Sequence, residues 1–335
     1  MDSMQFLQLI PRIRVYEKKL LDKAQIERMI DANTSEGALK VLQETEYAAF
    51  MNEVRRPDDY EILLSNELVR LYKTMYEASP LKEIIDVMAL KYDYHNIKVL
   101  VKGKILDKDF SQMLIPVGMV GVNDLKSAIN GEDFGRLPKK MEECLRKIFE
   151  KFEETNDPQF IDLIADQYLY AHIHEIANKK NIKDKALDRY LTNLIDLNNV
   201  KTLLRAKKQD KNVNFFLDAI VPGGSIDASK FRSLYLDTIE NIPNNLSSKE
   251  YSQVLREGIT SYIETSSVSE FEKLIDNHIM GIMKEAKIVT KGLEPVLTYM
   301  YVKENEIKQI RTIMVGKLNN ITKEVIRERL RDGYV

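Results

Sequence analysis

Four short stretches place residue types that could do chemistry close together. "AHIHEIANKK" gathers His172, His174 and Glu175, a set able in principle to bind a metal. Histidines two apart on a helix point to roughly opposite sides, whereas a helical chelate needs steps of three or four residues, so the stretch reads as helix. "RRPDDYE" sets Asp58 and Asp59 before a helix, as a magnesium-binding aspartate box of prenyl-chain chemistry would. The carboxylate expected one turn on is missing, because position 62 is Ile62, and no second box follows. Carboxylates at a helix start are accounted for by the helix dipole. "VPGGSID" has two glycines with no Lys-Ser/Thr pair after them, so it is a turn and not a phosphate cradle. The single Cys144 lies in "KKMEECLRKIFEKF", where it can form neither an internal disulfide nor a thiolate cluster and has no base beside it. GxSxG, HExxH and CxxC patterns are absent. No catalytic, cofactor or metal site is expected.

The pattern that does stand out is a repeated phrase. "YDYHNIKVLVKGK" at 92–104 and "IDLNNVKTLLRAK" at 195–207 pair Asp93 with Asp196, Asn96 with Asn199, Lys98 with Lys201 and Lys102 with Arg205. On a helix, residues 93, 96, 100 and 103 share one face and Lys98 and Lys102 another. Asp93, Asn96, Asp196 and Asn199 are expected to make interhelical hydrogen bonds that fix register; the alternative is direct contact with a partner. Lys98, Lys102, Lys201 and Arg205 form either a solvated face or a row meeting an acidic or polar partner, and they are the candidate partner-binding residues. Gly103 and Ala206 are small enough to admit a close neighbour. A third version, "VKENEIKQIRTIM", keeps Ile307, Lys308 and Ile310 but has Lys303 and Glu306 where the others have acid and amide.

The elements that carry these phrases are helical. Tyr60, Leu63, Leu64, Leu68, Leu71, Tyr72 and Met75 recur at three- and four-residue steps, as do Phe160, Leu163, Ile164, Tyr168 and Ala171, and Phe271, Leu274, Ile275, Ile279, Ile282 and Met283; each set is one buried stripe of a long helix. Asp157 before Pro158, Ser79 before Pro80, and the pairs Ser269 with Glu272 and Ser247 with Glu250 predict helix starts. After each phrase the chain is expected to break at glycine ("IPVG", "IVPGGS", "VGKLNN") and begin a new helix, and "LLDKAQIERMI" resembles those new starts. The resulting unit of helix, phrase helix and turn is used three times, over 1–115, 116–221 and 222–335, far longer than solenoid periods. The fold class is all-α. With 50 Lys plus Arg against 52 Asp plus Glu, the net charge is −2, which lacks the basic excess of a nucleic-acid binder. "MLIPVGMVGV" is roughly half a membrane span, and "MDSMQFLQLI" does not read as a secretory leader.

Taken together, "FLQLIPRIRVYEKKLLDKAQIERMI", "EGALKVLQETEYAAF" and the thrice-used phrase resemble the C subunit of the prokaryotic V-type (A-type) ATPase or ATP synthase, and the d subunit of the eukaryotic vacuolar enzyme. The resemblance runs over the whole chain. It implies three helical lobes arranged as a funnel about a pseudo-threefold axis, with no catalysis of its own. It also implies a rotor adaptor between the D and F shaft subunits and the cytoplasmic side of the proteolipid ring, present once per complex. A generic helical scaffold and a prenyl-diphosphate-type enzyme are the rival readings.

Overall fold

The computed structural model describes residues 3–131, 133–180, 182 and 184–335; Met1 and Asp2, where the leader reading begins, lie outside the described residues. Among these the regular structure is helical, with no strand. In chain order the helices are α1 (Leu9–Glu17), α2 (Lys23–Asp31), α3 (Ser35–Leu42) and α4 (Tyr60–Ala78). Next come α5 (Lys82–Leu106), α6 (Val122–Gly131), α7 (Lys139–Thr155), α8 (Gln159–Lys179) and α9 (Lys185–Lys208). They are followed by α10 (Val213–Ala219), α11 (Ala228–Leu236), α12 (Ile242–Asn245) and α13 (Ser252–Thr265). The last are α14 (Ser269–Glu285), α15 (Glu294–Leu318) and α16 (Lys323–Arg329).

The chain forms two compact units, one of residues 83–272 and one joining 2–82 to 273–335. Within the first, α7 packs along α8, and α10 rests on α8, α9 and α11. The reason α7 takes a surface position is legible in its stripe: Met141, Cys144, Leu145 and Ile148 are buried at helical spacing while charges cover the other face. By contrast, α5 buries Ile84, Ile85, Val87, Met88, Ala89 and Leu90 in near succession, the mark of a helix surrounded on several sides. Within the second unit α15 plays that central part, touching α1, α2, α3, α4 and α16. It is buried over most of its length, including Lys303, Glu304 and Glu306.

The helix starts are set by both local and distant partners. Asp157 accepts from the Gln159 amide at 2.9 Å, as its position before Pro158 predicts, and the Asp22 and Gln25 side chains close a capping box on α2. The two boxes expected at Ser269 and Ser247 do not form. Ser269 is already inside α14, and Glu272 is drawn to Arg205 at 2.7 Å. Ser247 and Glu250 precede α13 in a turn, with Glu250 paired to Arg189 at 2.9 Å. A long-range cation holds each of these carboxylates, which are free for a local cap only when no such partner exists.

The expected glycine breaks are also relocated. The helices α5, α9 and α15 each end at a left-handed residue that is not glycine, Asp107 (φ 50°), Asp210 (φ 51°) and Asn320 (φ 53°). At each end the amide five residues on turns back: Lys108 N–H to Gly103 O at 3.0 Å, Lys211 N–H to Ala206 O at 3.0 Å, and Ile321 N–H to Gly316 O at 2.8 Å. This is the Schellman closure, which asparagine and aspartate tolerate. Gly316 therefore lies inside α15, and its missing Cβ makes room for Ile326 of α16. Gly103 likewise admits the chain's own return, since a Cβ there would press on Lys108 O.

Candidate functional site

The repeated polar residues of α5, α9 and α15 sit at three joints between helix and returning chain. On α5, Asn96 is buried and brackets one residue: its Nδ2 donates to Ile115 O at 2.8 Å and its Oδ1 accepts from Ile115 N–H at 2.9 Å. One helical turn earlier, buried Asp93 accepts from the amides of Met119 and Val120 at 2.8 and 3.1 Å. A Cβ at Gly118 would overlap that carboxylate, so the glycine is what lets the turn reach it. Burial pushes the Asp93 carboxyl up to about 7, and the two donated amides oppose the shift without cancelling it.

The second joint repeats the first. Asn199 donates to Val221 O and accepts from its amide, both at 2.8 Å. Asp196 accepts from the amides of Ser225 and Ile226 at 2.9 and 3.2 Å, and also from the hydroxyls of Ser225 and Tyr251 at 2.5 and 2.8 Å. Here Gly224 is the residue whose Cβ would strike the carboxylate. The expected burial is present for both asparagines, but the partner is the backbone of a turn and not a neighbouring helix. An amide side chain matches a peptide group donor for acceptor, so a single turn residue can both accept from it and donate to it.

The third joint keeps the place and changes the chemistry. On α15, Glu306 accepts from the Leu21 amide and, at 2.8 Å, from the Tyr47 hydroxyl. Lys303 sits where the others have Asp, its ammonium 2.6 Å from Glu306 and 3.0 Å from Glu67 and lying over the Tyr47 ring. Glu67 in turn meets Arg70 at 2.6 Å. Burial works against the Lys303 charge, but the two carboxylates outweigh it and hold the ammonium above its usual range. The turn facing α15 is supplied by two separate stretches: Leu21 leads into α2 at one end, while Asn305 and Gln309 donate to the carbonyls of Asp332 and Arg331 at 3.3 and 3.0 Å. Thus the third phrase is completed by residues some 285 positions away.

The four candidate contact cations are engaged within the chain. Lys98 meets Asp166 at 2.5 Å and Lys102 meets Asp162 at 2.8 Å, so α5 is laced to α8. Lys201 and Arg205 both reach Glu272, at 3.3 and 2.7 Å, which laces α9 to the start of α14. A comparable pair, Arg311 with Glu61 at 2.6 Å, joins α15 to α4. Sequence reasoning named the cations and missed their carboxylates. The signal was available: Asp162 and Asp166 are four apart, the same step as Lys98 and Lys102, so one row can meet the other across two antiparallel helices.

Among the described residues no group of His, Cys, Asp and Glu has the placement of a metal site. His172 is buried with Nδ1 3.3 Å from the Tyr94 hydroxyl, and burial lowers its pKa to about 4. His174 faces Gly223, where a Cβ would collide with its Nε2. Glu175 is paired with Lys179 at 2.6 Å. Asp59 is occupied by the amides of Arg55 and Arg56, and burial raises the Cys144 thiol far above its ordinary value. No helix among the described residues is long and apolar enough to cross a membrane.

Comparison with known proteins gives the family. The profile described as the ATP synthase (C/AC39) subunit matches residues 9–329. The chain is 27% identical to the C subunit of the V-type sodium ATPase of Enterococcus hirae over 331 residues, covering 99% of both. It is 26% identical to the C subunit of the A-type ATP synthase of Methanocaldococcus jannaschii, over 95% of this chain and 84% of that one. The corresponding protein of Pyrococcus furiosus is 24% identical over 95% of this chain and 88% of its own. With nearly its whole length matched, this chain belongs to the ATP synthase (C/AC39) subunit family.

Proposed function

We propose that the chain is the non-catalytic central-stalk adaptor of a rotary V/A-type ATPase. It joins the D and F shaft subunits to the proteolipid ring at the cytoplasmic face of the membrane and passes torque between ATP chemistry and ion movement. The observation that carries this reading is the recurrence of one helix-and-turn joint on α5, α9 and α15 in a member of this family. A torque link must hold its shape under twist, and buried, hydrogen-bonded polar joints supply stiffness of that kind. Three copies fused in one chain suit an object present once per complex on a central axis.

The copies 1–115, 116–221 and 222–335 are proposed as three lobes of a funnel about a pseudo-threefold axis, to be tested by superposing them in a structure of the assembled enzyme. Lys98, Lys102, Lys201 and Arg205 are retained as the contact row, because their ion pairs leave part of each side chain open to solvent. The decisive experiment removes the protein from the complex. The catalytic head should go on hydrolysing ATP while transport driven by that hydrolysis is lost. ATP hydrolysis by the purified chain alone, or ATP-driven transport intact without it, overturns the proposal.

A further inference from the structure

The unit built from residues 2–82 and 273–335 carries an apolar strip that its own packing leaves uncovered. Leu7, Pro11 and Val15 follow one another at four-residue steps and all three are exposed, Leu7 by 44% and Val15 by 54%. Gln8 is already in helical geometry ahead of α1, so the three share one face of a continuous turn and helix. Beside that face stands Ile288, 87% exposed. The adjacency is fixed by Arg14, whose guanidinium donates to the carbonyls of Ala286 and Val289 on either side of Ile288, at 2.7 and 2.6 Å.

Ile288 is not on a loose loop. Arg14 also meets Glu17 at 2.7 Å, Glu17 accepts from the Tyr334 hydroxyl at 2.9 Å, and Lys287 donates to Tyr334 O at 2.6 Å while lying over its ring. The turn between α14 and α15 is also longer than its counterparts. It spans 286–293, against 79–81 between α4 and α5 and 180–184 between α8 and α9. In the shorter turns the aliphatic residue is tucked in: Ile182 is buried and Leu81 half-buried. The longer third turn thus exposes Ile288, where the other two leave their aliphatic residue buried or half-buried. Lys18 follows Val15 by three residues, and Lys284 and Lys291 stand four before and three after Ile288; all three are exposed and meet no carboxylate at ion-pair distance among the described residues, while Glu285 is the acid of that segment.

We propose that this strip is a docking surface for a protein partner that offers aliphatic side chains flanked by aspartates or glutamates, within the complex to which the chain is assigned above; the inference rests on that assignment. Charge complementarity chooses the flanks: uncommitted ammonium groups surround an apolar centre, so an acidic rim gains where a basic one is repelled. The centre favours protein over lipid. Its residues come from two segments pinned by five polar contacts and include no Trp or Phe, whereas a helix that lies on a membrane presents one large apolar face of its own with Trp, Phe and Leu.

The test adds the full chain to the remaining subunits of the same ATPase and measures its retention in the assembled complex. Leu7→Ser, Val15→Ser and Ile288→Ser together should lower the affinity at least tenfold with melting unchanged, and Val15→Leu with Ile288→Leu should restore it. Lys18→Glu, Lys284→Glu and Lys291→Glu should weaken binding most at low salt, since screening already removes the attraction at high salt. A photo-crosslinker at Ile288 should capture a segment carrying Asp or Glu beside apolar residues. Unaltered retention of the serine variant overturns the inference. So does a crosslink to a basic segment, or binding of the wild type but not the variant to vesicles of phosphatidylcholine with phosphatidylglycerol. Failure of the wild type to join the complex takes down the functional assignment as well.

Discussion

The joints on α9 and on α15 occupy the same place in their helices and are held by opposite means. On α9 an amide and a carboxylate meet the peptide groups of a turn 22 to 29 residues farther along the chain. On α15 a lysine and a glutamate meet side chains and an amide contributed by a stretch far away in sequence. Where the turn is tethered nearby, neutral or singly charged groups suffice, because the loop to be closed is short and closing it costs little entropy. Where the partner must be brought from a distance, the joint uses complementary charge, which in a buried setting is specific about what it will accept. The third copy thus differs from the others because of its place in the chain, and its altered residues are a matched replacement.

The most severe way to break this comparison is to remove the lysine. Lys303→Met leaves Glu67 and Glu306 buried without their common cation, and breaking such a pair costs about 3–5 kcal/mol. Denaturant unfolding should show that loss for the single variant. Adding Glu67→Gln and Glu306→Gln should recover much of it, because no unpaired charge remains. If the single variant unfolds like wild type, the charged joint is not what holds residues 2–82 to 273–335.

Next come the asparagines. Asn199→Leu and Asn96→Leu each leave a backbone amide and carbonyl without partners, a cost of about 1–3 kcal/mol. Asn199 should be the costlier, since its bonds to Val221 are fully buried whereas those of Asn96 to Ile115 are partly open to water. Thermal melts of the two variants rank them directly, and equal shifts would remove the distinction between the joints.

Asp93 sharpens the comparison through pH. Its carboxyl is raised to about 7 in the fold from an ordinary value near 4. The folded chain therefore holds a proton that the unfolded chain has released between those values. The stabilisation is complete below about pH 4, declines as pH rises and is gone once pH passes about 7, a swing on the order of 4 kcal/mol for a shift of about three pH units. Asp93→Asn cannot titrate, so its melting temperature should change less than that of wild type between pH 5 and pH 8. Parallel pH profiles for the two proteins would show that Asp93 stays ionised in the fold.

How much of this is legible in the sequence depends on whether the deciding partner is local. The helical class and the phrase helices are legible because apolar steps such as Leu63, Leu64, Leu68 and Leu71 record burial in the sequence itself. The cap at Asp157 is legible for the same reason, since its partner lies two residues away. The boxes at Ser247 and Ser269 do not form because Arg189 and Arg205 claim the carboxylates across the fold. The helix ends fall away from the glycines because a left-handed residue need not be glycine, and Asp107, Asp210 and Asn320 take that conformation instead. Nothing local announces that Glu306 will find Leu21 and Tyr47; only the repeat, by leaving α15 without a turn of the usual kind, hints that one has to come from elsewhere.

The smallest expected effect concerns the cations that lace α5 to α8 and α9 to α14. Exposed or half-exposed ion pairs are worth about 0.2–1 kcal/mol each, so Asp162→Asn, Asp166→Asn and Glu272→Gln should lower stability only slightly. The useful contrast is with reversal of Lys98, Lys102, Lys201 and Arg205 to Glu. If these cations act only within the chain, both sets of changes should trim stability and leave assembly alone, apart from some added repulsion in the reversed set. If they also meet the shaft or the ring, neutralising the carboxylates frees the cations and should strengthen association, while reversing the cations should weaken it, both effects fading as salt rises. Binding measured at two salt concentrations with both variants separates the cases by sign, which a stability measurement alone could not do. The proposed contact row requires opposite signs, and assembly unmoved by either variant would confine these residues to holding the helices together.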